Sequence, residues 1–346
     1  MSDKKECWAT GDVSVIILGA GFSAAVTNGK MPLMGNFFEG INRSKYQSLI
    51  EFIESIEGDI NKANVENILL TLEQIRTSPD SLANKLGLKS KQQYSEINQQ
   101  LTHYILERLQ TGCHVTPDNW AVQILAGASE KTTVISMNYD NIAERILSKR
   151  RGLTHHGDES NCPHCKMRMI LEKSCNCSSR EAIGKCDWEG ALLKPHGSIA
   201  WRRCLNPDCC SYECLVADKR CRPFEACYCP QCNTECAPAI VLPSMSKNLE
   251  KIPEIQAMWN ASYDAISEAE SILVFGFSFP QSDALFTQLV RKAICTSPKL
   301  REFAIIDLNP DDIFKRFEKC IKTNHNVYGT CFPVIKNEPP EWLVSS

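Results

Sequence analysis

Nowhere does the sequence carry a run of about 18 apolar residues, so no segment reads as a membrane-spanning helix. A large charge of one sign is missing too: 38 Lys and Arg stand against 41 Asp and Glu, a formal net charge of -3. That balance excludes a binder of phosphate backbones that works by bulk electrostatics, although it averages away any local basic face. No segment repeats at a period of about 20–50 residues, which excludes a solenoid. The residues from Met1 to Glu6 are polar and charged. The first apolar run, Val13 to Leu18, is too short for a secretory signal and leads straight into glycine. These absences point to a cytoplasmic protein with no membrane partner.

What the sequence has in excess is cysteine. Of 19 cysteines in 346 residues, fourteen fall between Cys162 and Cys236. Such density means disulfides in a small secreted domain, but this chain is large and shows no export signal, so metal is the better reading. Cys204-x4-Cys209 and Cys229-x2-Cys232 form two knuckles whose thiolates can share one tetrahedral zinc. Cys210, Cys214, Cys221, Cys227 and Cys236 lie within reach as substitutes. Cys162-x2-Cys165 with Cys175-x-Cys177, or Cys186, makes a second and less regular set. With no catalytic water ligand in sight, the zinc reads as structural.

Short apolar runs at Val13–Leu18, Thr132–Ser136, Ala239–Leu242, Ser271–Phe275 and Phe303–Asp307 read as buried strands. Helical patterns over Tyr139–Lys149, Pro253–Glu268, Ser282–Ile294 and Pro310–Ile321 separate them. Strands alternating with helices predict an α/β fold, a Rossmann-like doubly wound parallel sheet. Between about Asn36 and Gln110 the Leu and Ile spacing is helical instead, which predicts an inserted helical layer. The expected organisation is sheet residues 1–35, a helical insertion over 36–130 and sheet continuation over 131–150. A Cys-rich zinc-ribbon module with a His-Gly motif follows over 151–238, then the C-terminal part of the sheet domain over 239–346.

Five sites carry candidate chemistry. Gly19-Ala20-Gly21-Phe22-Ser23 follows the first strand and opens a helix, where glycines let backbone approach a pyrophosphate closely. The third glycine of the full dinucleotide fingerprint is missing, so a ligand-free tight turn stays open. Asn138-Tyr-Asp140 sits at a strand's C-terminal end, as ligand residues or as a helix cap. Lys194-Pro-His196-Gly197-Ser198 places a histidine in a turn, as general base, metal ligand or structural group. Gly276-Phe-Ser278-Phe-Pro280 follows another strand, with Asp283 soon after. Asp307-Leu-Asn309 ends the last clear strand, where an acid or amide can hold a ribose diol or simply cap a turn.

The order of these sites, Gly-Ala-Gly-x-Ser, Asn-x-Asp, His-Gly, Gly-x-Ser and a terminal Asp/Asn, resembles the sirtuin family from about residue 13 to 310. Asn-Tyr-Asp, His196-Gly-Ser-Ile-x-Trp201 and Gly-Phe-Ser-Phe-Pro are similar to its divergent bacterial, NAD-consuming branch. The resemblance implies that Gly19, Ala20, Gly21 and Ser23 cradle the pyrophosphate of NAD. It sets Asn138 by the nicotinamide ribose, Asp140 by the carboxamide and His196 as the base. It gives Gly276 and Ser278 to the adenosine side and Asp307 or Asn309 to its ribose.

Two departures bear on the reaction. Met31-Pro-Leu-Met34 lacks the Asp and Arg that deacylating sirtuins carry after the glycine loop. Ala239-Ile-Val-Leu-Pro-Ser244 stands where they have a Phe-Gly-Glu peptide clamp. Water is then the expected acceptor, and NAD hydrolysis the first reading, with NAD as substrate rather than resident cofactor. The resemblance also implies a role in antiviral defence, released by a partner such as a defence-system ATPase. Deacylation or ADP-ribosyl transfer is the alternative, followed by a non-catalytic NAD or ADP-ribose sensor. A nucleic-acid adaptor built on Lys166, Arg168, Arg202, Arg203, Lys219, Arg220 and Arg222 is the last. The helical insertion reads equally as a layer covering the pocket or as a regulatory or homo-oligomer surface.

Overall fold

The computed structural model describes residues 13–77, 84–85, 91–111, 115–116, 118–129, 131–149, 191–209, 215–217, 228–229, 231–241, 253–324 and 327–334. The chain opens with β1 (Val15–Leu18) and α1 (Ala20–Val26), then the helices α2 (Gln47–Glu57), α3 (Val65–Thr77), α4 (Lys91–Thr111) and α5 (Trp120–Ala126). Next come β2 (Thr133–Ser136), α6 (Ile142–Lys149), β3 (Leu192–Leu193), β4 (Gly197–Arg203), β5 (Leu215–Ala217) and β6 (Ala237–Ile240). The C-terminal part holds α7 (Pro253–Glu268), β7 (Ser271–Phe275), α8 (Ala284–Thr296) and β8 (Glu302–Asp307). It continues with α9 (Pro310–Lys315), α10 (Glu318–Thr323) and β9 (Tyr328–Pro333).

Six strands form one sheet in the order β3-β2-β1-β7-β8-β9, every neighbouring pair parallel. The apolar runs explain why. Along β1, Ile16 and Leu18 enter a buried cluster on one face, while Val15 and Ile17 enter a second cluster on the other. β7 and β8 divide in the same way, with Phe275 and Ile306 on the first face and Val274 and Ile305 on the second. Strands cored on both faces have no polar side, so they read as continuous apolar segments. Because the chain winds outward from β1 in both directions, the order reverses between β1 and β7. In such sheets that reversal opens the ligand crevice at the strands' C-terminal ends.

The helical insertion packs on the first face. Ile97, Leu101, Tyr104, Ile105 and Leu109 of α4 recur at helical spacing and are all buried in the cluster that holds Ile16 and Leu18. Tyr104 anchors the layer further, its hydroxyl donating to the Phe37 carbonyl at 2.9 Å.

Ala239–Leu242 is the exception among the expected parallel strands. The corresponding β6 leaves the main sheet and pairs antiparallel with β4, Gly197 opposite Ile240, in a three-stranded sheet ordered β5-β4-β6. A four-residue apolar run specifies burial but not strand direction. The helix expected over Pro310–Ile321 is broken into α9 and α10, and β9 adds an outer strand with no clear apolar signal. Among the described residues no helix is long and apolar enough to cross a membrane. Cys162, Cys165, Cys175 and Cys177, the second proposed metal set, lie outside the described residues.

Gly276 leaves no room for a side chain. Its φ is +64°, and a Cβ there would lie 2.2 Å from the Phe22 nitrogen and 2.5 Å from the Gly21 carbonyl carbon. Both are backbone atoms that cannot rotate aside. Gly276→Ala is expected to lose roughly 2–5 kcal/mol in urea unfolding. Gly29→Ala, with φ +79° but nothing within 4 Å of its Cβ, should lose only about 1–2 kcal/mol. Equal losses would contradict the crowding argument.

Candidate functional site

The site is built where two loops cross at the reversal. Gly19 N–H donates to the Phe275 carbonyl at 3.0 Å, and Gly21 N–H to the Gly276 carbonyl at 2.8 Å. Gly276 N–H in turn donates to Ile306 O at 2.8 Å. The three glycines therefore let the loops after β1 and β7 touch, backbone to backbone. Two amides expected to cradle a pyrophosphate are taken by the neighbouring loop. Ala20 and Ser23, from the same expected set, instead line a cavity.

That cavity has a polar corner. Ser23 Oγ donates to Asp140 Oδ2 at 2.7 Å. Asn138 Nδ2 donates to Ser23 Oγ and to Gly19 O, both at 2.8 Å. Asp140 Oδ1 also accepts from the Ile142 amide at 2.9 Å, so this residue both faces the cavity and caps the entry to α6. Burial raises the Asp140 carboxyl above its usual range, even though Lys194, the Ser23 hydroxyl and the Ile142 amide each pull it down.

Beneath this corner lies a buried ion pair that the motif reading missed. Lys194 Nζ is 2.7 Å from Glu144 Oε1, with both side chains almost fully buried. The same ammonium bonds the Asp140 carbonyl and lies 3.2 Å from Ser198 Oγ, and Ser198 donates to Glu144 at 2.9 Å. Ammonium, carboxylate and hydroxyl thus tie the Asn138–Asp140 loop to the His196 turn. Breaking one partner of such a pair costs about 3–5 kcal/mol, because the other charge is left buried alone. Lys194 and Ser198 flank His196 in sequence. Glu144 stands four residues past Asp140 and carried no separate signal.

The rest of the cavity is apolar: Met31, Met34 and Phe37, with Val65 and Leu69 of α3 and Ile105 and Leu109 of α4. The helical insertion therefore covers the glycine loop, one of its two sequence readings. The cavity is about 60 Å³, far below the roughly 300–1,000 Å³ of ordinary ligand clefts. A whole dinucleotide does not fit within that volume.

His196 is close by but enclosed. Its Nδ1 is 3.0 Å from the Met137 carbonyl and its Nε2 3.0 Å from Asp283 Oδ1. Tyr139, which lines the cavity, stacks on the imidazole at 5.7 Å. Trp259 lies 6.3 Å away, its indole N–H donating to Pro195 O. His196 itself is not among the residues lining the cavity.

Of the expected adenosine-side residues, Gly276 lies at the loop crossing, whereas Ser278, Asp307 and Asn309 do not line the cavity. Ser278 and Asn309 are exposed and Asp307 is partly buried. Asp307 Oδ1 accepts from the Asn309 amide at 3.0 Å, and burial raises its carboxyl above the usual range. Arg316, not singled out from sequence, donates to the carbonyls of Ser278 and Phe279 at 2.8 Å each.

In the small sheet, Cys204, Cys209, Cys229 and Cys232 converge, their sulfurs all within 4.8 Å of one another. The Cys204–Cys232 and Cys209–Cys229 separations are 3.6 and 3.8 Å. Tetrahedral zinc with 2.3 Å bonds to sulfur requires sulfur–sulfur edges of about 3.8 Å. The donor set fits zinc. Arg202, one of the residues considered for a basic face, is buried, its guanidinium bonding the Ile199 and Trp201 carbonyls. Lys166, Arg168, Lys219, Arg220 and Arg222 lie outside the described residues.

No protein-family model matches the sequence, and no curated protein matches it. Among solved structures, similarity extends over 94% of the chain to a Sir2 bound to acetylated peptide, at 14% identity, 99% of that chain and a TM-score of 0.40. A Sir2 with p53 peptide and NAD+ is similar at 15% identity over 94% of this chain and 99% of the other, TM-score 0.41. A mutant Sir2 homologue in complex with ADP-ribose is similar at 13% identity over 94% and 96%, TM-score 0.44.

The raised Asp140 carboxyl makes a stability prediction. The folded state binds that proton more tightly than the unfolded chain, so stability falls as pH rises from the ordinary carboxylate value through the folded one. Asp140→Asn removes this loss. The variant should therefore melt above the parent at neutral pH, with the gap closing as pH falls toward about 4. A gap that is constant with pH would contradict the assignment.

Proposed function

We propose that this protein hydrolyses NAD at the corner formed by Ser23, Asn138 and Asp140. The observation that carries the reading is this hydrogen-bonded polar triplet, set in an otherwise apolar cavity at the sheet's reversal. The motif order that resembles the sirtuin family supplies the substrate class. In the reaction the bond between the nicotinamide nitrogen and ribose C1′ breaks, and its electron pair leaves with nicotinamide. A water oxygen bonds C1′, and one proton is released with ADP-ribose.

The residues suit that chemistry. An apolar wall receives a flat ring, while amide, hydroxyl and carboxyl at one corner offer donors and acceptors for a carboxamide and ribose hydroxyls. Positive charge develops on the ribose as the bond breaks, and the Asp140 carboxylate and fixed dipoles near it lower that cost. His196 is assigned as the base. Met31, Pro32 and Met34 give the cavity wall no charged group for positioning an acyl-peptide, which favours water as acceptor over deacylation.

The small cavity supports an activity held off until the helical layer moves. That is what control by a partner protein in antiviral defence, such as a defence-system ATPase, requires. Cys204, Cys209, Cys229 and Cys232 would hold a structural zinc that closes a module too small for its own core.

Incubated with NAD and no acyl-peptide, the protein should release nicotinamide and ADP-ribose in equal amounts on a chromatogram. Asn138→Ala and His196→Ala should each slow release by at least about 100-fold. NAD binding without release would return the sensor reading, and no binding would defeat the proposal. Metal analysis checks the zinc. The Cys204→Ser, Cys229→Ser double variant should lose one equivalent relative to the parent, and an unchanged content would remove the site.

A further inference from the structure

The metal reading does not use Cys295 and Cys320, which stand outside the cysteine-rich stretch. Cys295 lies in the last turn of α8 and Cys320 within α10. The two helices pack against each other with Cα atoms within 8 Å. Both thiols are free and partly exposed, and that of Cys320 hydrogen-bonds Cys295.

The backbone on both sides builds this contact. Asn324 donates its side-chain amide to the carbonyls of Ile294 and Ser297, at 3.0 and 2.8 Å, which bracket Cys295. Its backbone amide donates to the Cys320 carbonyl at 3.1 Å. One residue thus holds the two cysteine backbones together. Four residues before each cysteine a second tie forms, where the Arg291 guanidinium donates to the Arg316 carbonyl at 3.0 Å. Arg291 also lies over the Phe317 ring.

Two thiols in contact can share a metal or a bond. Structural zinc takes four ligands, and among the described residues no third Cys, His, Asp or Glu completes a set with this pair. Oxidation needs only the two sulfurs. Their surroundings set an order. Cys295 stands beside exposed Thr296 at the end of α8. Cys320 packs against the buried cluster on the second face of the sheet. Burial, and then the neighbouring Cys295, push the Cys320 thiol up to about 11, so it keeps its proton at neutral pH.

We infer that Cys295 and Cys320 are a thiol oxidation site, which hydrogen peroxide closes into a reversible disulfide. The Cys295 sulfur attacks the peroxide, so that an S–O bond forms, the O–O bond breaks and hydroxide leaves with the thiol's proton as water. The Cys320 sulfur then displaces hydroxide from the sulfenic acid. The S–S bond forms, the S–O bond breaks, and the Cys320 proton leaves with that hydroxide as a second water. The two thiols lose two electrons and the peroxide gains them. The bond ties α8 to the segment from which Arg316 holds the turn after β7. Neither cysteine lines the cavity at Ser23, so NAD cleavage plays no part in the assignment.

The test uses the full, zinc-loaded chain and hydrogen peroxide. Remaining thiols are then blocked with N-ethylmaleimide, and the chain is cut with trypsin. Residues 293–299 and 320–322 should appear as one linked fragment that dithiothreitol separates, with maleimide labelling lost at both cysteines. Cys320→Ser should leave Cys295 as a sulfenic acid that dimedone captures. Cys295→Ser should leave Cys320 open to maleimide. Peroxide that leaves both parent thiols open to maleimide overturns the inference. So does oxidation of Cys295 to sulfinic acid without the linked fragment, or linkage of either cysteine mainly to another such as Cys331. If a serine variant does not fold, the fragment pattern of the parent decides alone.

Discussion

Everything at the candidate site depends on the contact between two loops at the reversal of the sheet. Gly19 and Gly21 lie against Gly276 so closely that a methyl group at any of the three would meet backbone within 2.7 Å. Two amide–carbonyl bonds lock that crossing, and a third ties Gly276 to Ile306 of β8. It sets the start of α1, and through α1 the position of Ser23. Ser23 in turn joins Asn138 to Asp140. A shift of even an ångström at the crossing would separate donors from acceptors that now meet at 2.7–2.8 Å.

A second constraint works from below. Lys194 brings a positive charge into the core, where Glu144, Ser198 and the Asp140 carbonyl answer it. Such a pair contributes little net stability compared with apolar packing, and its use lies in specifying one arrangement. Here that arrangement fixes the Asn138–Asp140 loop relative to the His196 turn. The cost is visible in the raised Asp140 carboxyl: the fold carries a buried acid that it would be more stable without, as functional sites often do.

Much of this was legible in the residues. The double-sided apolar runs of β1, β7 and β8 predict a parallel sheet covered on both faces, and the Leu and Ile spacing over 36–110 predicts the helical layer. The spacing of Cys204, Cys209, Cys229 and Cys232 predicts the cluster that forms. What could not be read is equally specific. A strand of four residues has no encoded direction, so β6 went to the wrong sheet. Glycine spacing announces close approach but not what approaches, and here it is another loop. Glu144 and Trp259 reach the site from helix faces whose patterns report only burial. Asp283 looks in sequence like a helix cap, and only the fold turns it toward His196.

The central claim is that the nicotinamide end of NAD occupies the cavity between the glycine loop and the helical layer. A crystal structure of the Asn138→Ala chain with NAD tests it most directly. The account predicts the nicotinamide ring against Met31 and Phe37 with its carboxamide at Ser23 and Asp140. It also predicts α3 and α4 withdrawn to widen the cavity, and the adenosine beyond the Gly276 loop. NAD bound elsewhere, with Leu69 and Ile105 still closed over Ser23, would contradict it.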